Sequence, residues 1–85
     1  MNDRASINGQ NIVVLDRGFV YVGDVSIEDG NMVKISDAKN LRSWGTTKGL
    51  GELRNGPLKG TVVDEVGSVL APMRAVIHFI PCKGF

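Results

Sequence analysis

The sequence predicts a mainly β protein: a small antiparallel barrel or curved sheet of about five strands with one short helix. Three observations carry that prediction. Short β-branched runs recur at close spacing between turn residues. Two alternating segments flank Asp29-Gly30, the strongest hairpin signal in the chain. Helical spacing is confined to one stretch around residues 48–55.

In order along the chain, residues 1–10 are polar, contain Asn8-Gly9, and read as a flexible N-terminal segment ahead of a single domain over 11–85. Asn11-Ile-Val-Val-Leu15 is a β-branched run and hence a strand, and Asp16-Arg17-Gly18 turns. From Val20 to Glu28 the residues alternate, and Gly23 in the middle marks a bulge or a close backbone approach. Asp29-Gly30 turns because glycine accepts positive φ without a steric penalty, and Met32–Ser36 returns as the partner strand. Ala38–Trp44 reads as helical turn or strand, with strand favoured because Trp44 suits a sheet face.

Gly45–Gly49 is a loop. Leu50 and Leu53, at i and i+3, predict a short helix that Asn55-Gly56-Pro57 stops. Gly60–Asp64 gives a strand, Glu65-Val-Gly67 a turn, and Ser68–Met73, containing Pro72, an edge or loop. Arg74–Cys82 is the last strand.

An 85-residue chain has room for one modest core and gains from added stabilisation. One cysteine, Cys82, and one histidine, His78, supply neither an internal disulfide nor a structural zinc site. Oligomerisation is the remaining route. Ile12–Leu15 and Val76–Ile80 are apolar on both faces, so the chain is expected to be a homo-oligomer joined through one of them, unless its own helix and loops cover both. Met1–Ser6 lacks the apolar stretch of a signal peptide, and no apolar run approaches a membrane span. A cytoplasmic protein without a membrane partner is therefore expected.

Catalytic patterns fail on inspection. Gly49-Leu-Gly51 runs on to Arg54 where a dinucleotide loop needs glycine, and Gly51–Gly56 runs on to Pro57-Leu58 where a phosphate loop needs Lys and Ser or Thr. His78 lies in an apolar run, where packing is commoner than catalysis. Cys82 ends the same strand, about 13 Å from His78 by strand rise. The expectation is a binding protein and not an enzyme, with no cofactor and no metal.

The charge pattern says more. Between Ala38 and Gly60 lie five basic residues and one acid, whereas the rest of the chain has five basic residues and eight acids. One cationic region on a dipolar surface follows. The expected binding residues are Arg42, Trp44, Thr46, Thr47, Lys48, Arg54 and Lys59: an indole for stacking, cations for phosphates, and hydroxyls in an open loop. The alternative is that Trp44 anchors the core and the cations form a solvated rim.

Ile35–Trp44, the glycine-bearing loop, the Leu50/Leu53 helix and Ala75-Val-Ile-His-Phe-Ile-Pro-Cys82 resemble a group of small uncharacterised proteins of bacteriophages and prophages. The likeness runs over roughly residues 11–82, with a shorter, more glycine-rich stretch here at 55–68. It implies an accessory factor in the host cytoplasm that inhibits a defence system, by binding a defence protein or by sequestering its nucleotide signal. A nucleic-acid-binding module and a structural virion component are the competing classes, and a net charge of +1 argues mildly against the former.

Overall fold

Five antiparallel strands make one sheet in the computed structural model, which describes residues 9–45 and 49–85. The strands are β1 (Gly9–Leu15), β2 (Val20–Glu28), β3 (Met32–Ser43), β4 (Val62–Pro72) and β5 (Val76–Pro81), in the order β4-β3-β2-β1-β5. No pairing joins β4 to β5, so the sheet is curved and open and the barrel alternative does not hold.

The expected hairpin is present. Glu28 pairs with Met32 across the connection Asp29–Asn31, in which Gly30 (φ 78) and Asn31 (φ 59) take left-handed conformations that glycine and asparagine tolerate best. The ambiguous stretch after Ala38 is strand, since β3 runs on to Ser43.

Two expectations give way. Glu65–Gly67 is no turn. Gly67 (φ 83) sits opposite Ala38 as a bulge, and β4 continues through it to Pro72. Pro72 lacks a donor but ends a strand with one free edge, so no ladder bond is lost. Gly9 and Gln10 open β1, whereas residues 1–8 lie outside the described residues.

Val13 and Ile12 are adjacent on β1 and both fully buried, so they point into two different cores. Val13, Leu15, Val25, Val33, Ile35, Ala38 and Ala71 form one, with Val69 of β4 and Phe79 and Val76 of β5 packed against it. Strands at opposite ends of the sheet order share that cluster because the sheet curls. Ile12, Val20, Val22, Leu41 and Leu53 form the other, covered by Leu50, Cys82 and Phe85.

The curl follows a line of irregularities. Registers shift between Val22 and Asp24 against β3, and between Ile35 and Lys39 against β4. Asp37 there has φ 51. A bulge bends its strand and raises its twist. Gly23 is required at this line, because a Cβ would fall 2.7 Å from Ile35 Cγ2 and 2.8 Å from Ser36 O. It is both the bulge and the close approach that the alternating pattern predicts.

Candidate interaction surface at the neck of the β3–β4 excursion

Between β3 and β4 the chain leaves the sheet at Trp44 and returns at Thr61. The excursion closes at its neck. Ser43 pairs with Val62, and the backbones of Gly45 and Gly60 meet so closely that a Cβ on Gly45 (φ +68) would fall 2.5 Å from Gly60 C. Thr61 Oγ1 donates to Trp44 O at 2.6 Å and accepts from Leu58 N–H at 2.8 Å. Thr61 N–H closes the turn on Leu58 O at 3.0 Å. One threonine thus fixes both sides of the neck.

Beyond the neck, Leu50–Asn55 forms a 3-10 helix between Gly49 (φ 105) and Gly56 (φ 117). Its Leu53 is fully buried in the second cluster. Lys83 N–H donates to Arg54 O at 3.0 Å, which ties the helix to the chain after β5. The apolar spacing that signals this helix is therefore what fastens the excursion to the sheet.

Trp44 belongs to neither cluster and is 39% exposed, so it is not a core anchor. Exposed Leu58 and Val62 stand at the same neck. Arg42, two residues before Trp44, makes a two-point ion pair with Asp64 (Nε to Oδ2 2.9 Å, second nitrogen to Oδ1 3.3 Å). Both side chains are at least half exposed, so the pair contributes little to stability but holds the guanidinium in place.

Of the expected site residues, the neck brings together Arg42, Trp44 and Lys59, the last exposed within the closing turn. Arg54 is exposed at the far end of the excursion, beside Lys83. Thr46, Thr47 and Lys48 lie outside the described residues. Four participants escape the sequence reading: Gly60, Thr61, Leu58 and Asp64. Each acts on a partner far along the chain or through the exposure that the fold leaves it.

One concave surface lies elsewhere and has the opposite sign. Where the sheet bends, a cleft of about 390 Å³ is lined by Asp24, Asp37, Glu65, Gln10, Lys39 and Phe85. Lys39 Nζ donates to Phe85 O at 2.9 Å, and Phe85 N–H donates to Gln10 Oε1 at 2.9 Å. Lys39, counted with the cationic segment on sequence, is committed to this cleft. Among the described residues no His, Cys, Asp and Glu side chains converge in threes to hold a metal.

Cys82 faces the second cluster, and burial, helped by the Asp24 charge, pushes its thiol up to about 11. A thiol so protonated at neutral pH is a poor nucleophile. The expected seam divides in two. Ile12, Val13 and Leu15 are buried within the chain itself, because the two clusters cover both faces of β1, so Ile12–Leu15 is no seam. Val76–Ile80 lies on the edge strand β5, with Ile77 62% exposed. Among the described residues no helix is long and apolar enough to cross a membrane.

No known protein family, curated protein or solved structure matches this chain.

Proposed function

We propose that the protein is a small accessory binding protein that inhibits a bacterial defence component by docking on it through the neck of the excursion, with Trp44 as the anchor. The observation that carries this reading is the exposure of the chain's only tryptophan, on a neck held by Thr61 and by the Gly45–Gly60 contact. Tryptophan and arginine are the residues that most often dominate protein–protein binding energy. Here Trp44 and Arg42 stand two residues apart, with Leu58 and Val62 exposed at the same neck. A rigid neck lowers the ordering cost of binding.

A protein partner fits the neck better than a nucleotide does. A small-molecule site is concave. The cleft where the sheet bends sets three carboxylates against the one cation Lys39, which disfavours phosphate. The hollow beside the β2–β3 hairpin, lined by Gly30, Asn31, Met32, Pro72, Met73 and Arg74, holds none of the expected binding residues. Arg42 is partly neutralised by Asp64, so the cationic character of the segment is weaker than its composition suggests. The defence context rests on the likeness to phage and prophage proteins, and the docking surface rests on geometry.

The test is a plaque assay on a panel of bacterial strains, each carrying one defence system. Expression of the protein restores plaque formation in at least one strain, and Trp44→Ala, folded as the wild type, restores it no longer. Full restoration by Trp44→Ala would place the surface elsewhere. No restoration in any strain would remove the anti-defence reading and leave the neck to be tested on other partners.

A further inference from the structure

The chain after β5 crosses from the sheet to the excursion and back. Cys82 N–H donates to Gln10 O at 3.0 Å, one step beyond the Asn11–Pro81 pair. Lys83 N–H then turns to Arg54 O in the excursion, also at 3.0 Å. Phe85 N–H donates to Gln10 Oε1 on β1, and Phe85 O accepts from Lys39 Nζ on β3, each at 2.9 Å. Between these contacts Gly84 takes φ 86 and lies against the end of the excursion's helix. A Cβ there would fall 3.2 Å from Asn55 O and 3.3 Å from Gly56 Cα. Cys82–Phe85 thus bridges β1, β3 and the excursion.

The excursion has little else to hold it. Beyond the neck, residues 49–60 pair with no strand. Leu53 is the one large side chain buried there, with Leu50 half-buried beside it. Cys82 and Phe85 pack on the same cluster as these two leucines, so the helix and the chain after β5 share one apolar floor. The sheet, by contrast, is held by four backbone ladders. A segment with few buried apolar contacts and exposed backbone opens at lower free energy than paired strands do.

We infer that Cys82–Phe85 is a strap, and that strap and excursion release together as one unit while the sheet stays folded. Closed, the strap keeps Leu53 on the second cluster and the excursion fixed against the sheet. Open, the excursion hangs from its neck alone, and Leu53 and the Cys82 thiol reach solvent. The neck keeps its own fastenings, the Ser43–Val62 pair and the bond from Thr61 to Trp44 O, and so serves as the hinge. The closed strap gives the proposed docking surface its fixed form. The device itself is independent of what the neck binds.

Amide hydrogen exchange in the full chain tests the coupling, with Gly84→Ala as the opening variant. An L residue in the left-handed region costs enough to raise the open population roughly tenfold, and the added Cβ meets excursion backbone. Exchange should quicken by that factor at Lys83 and at Gly56, whose N–H closes the helix on Leu53 O. Labelling of Cys82, the only cysteine, by a thiol reagent should quicken with them. The amides of Leu15 and Met73, bonded to Phe19 O and Asn31 O away from the excursion, should not change. Gln10→Ala removes the acceptor of Phe85 N–H without altering the excursion, and it too should quicken Gly56. Faster exchange at Lys83 with Gly56 unchanged would mean that the strap frays alone, and would overturn the inference. Equal quickening at Leu15 and Met73 would overturn it as unfolding of the whole chain, and so would no change at Gly56 in either variant. Should Gly84→Ala fail to fold, Gln10→Ala decides.

Discussion

The sheet and the excursion between β3 and β4 treat their apolar residues in opposite ways. Within the sheet, Ile12, Val13, Val33 and Ile35 are fully buried on one face or the other, and Gly23 is there because no side chain fits. In the excursion Leu53 is as deeply buried as any of these, yet Trp44 and Leu58 remain exposed. One leucine is enough to moor the segment. The larger indole is left partly exposed, although burying it fully would yield more. In a chain with so little apolar surface to spend on stability, an only tryptophan left 39% exposed is the residue that the proposed docking would use.

The comparison breaks first at the mooring. Leu53→Ala removes a fully buried side chain and leaves a cavity in the second cluster. A loss of about 2–5 kcal/mol in denaturant unfolding is expected. A loss under about 1 kcal/mol, the size seen at surface positions, would show that the excursion is not fastened through this residue. Gly23→Ala should cost somewhat less, roughly 1–3 kcal/mol as an overpacked site, since its Cβ meets Ile35 Cγ2 at 2.7 Å and the Ser36 carbonyl at 2.8 Å. An unchanged midpoint would mean that the sheet can bend without the close approach.

A smaller effect concerns Cys82, which closes the second cluster near the mooring. Its thiol is raised from an ordinary 9.0 to about 11, so the folded chain holds the proton more tightly than the unfolded one. The stability linked to this group is fully present below pH 9 and declines as pH rises from about 9 through 11. Unfolding midpoints taken at about pH 8 and about pH 11 should diverge more in the wild type than in Cys82→Ser. Equal divergence would remove the linkage. Smallest of all is Arg42→Ala. Its exposed ion pair with Asp64 contributes about 1 kcal/mol or less, so stability barely moves, whereas docking through the neck should weaken.

How much of this the sequence discloses depends on the distance between partners. The β2–β3 hairpin is legible because Asp29, Gly30 and Asn31 fix a local turn, and the mooring helix because Leu50 and Leu53 stand at adjacent positions of one face. Gly67 reads as a turn because glycine beside polar residues signals one. Only the pairing of β4 with β3 on both sides of it makes it a bulge. The neck is nearly invisible. Gly45 meets Gly60, Trp44 meets Thr61 and Arg42 meets Asp64, and no local pattern joins those positions. The cationic segment shows the same limit, since composition counts Lys39 and Arg42 as free charge and the fold gives both of them partners.

Trp44 fluorescence tests most directly whether the indole is open to a partner, as the proposed anchor has to be. Trp44 is the only tryptophan, so the whole indole signal reports on it. In the free protein an indole with 39% of its surface exposed should be quenched by acrylamide without unfolding, with quenching unchanged when Leu70→Lys alters the far edge of β4. Blue-shifted emission that resists quenching in the native state and becomes accessible only on unfolding would contradict it, because it would return Trp44 to the core.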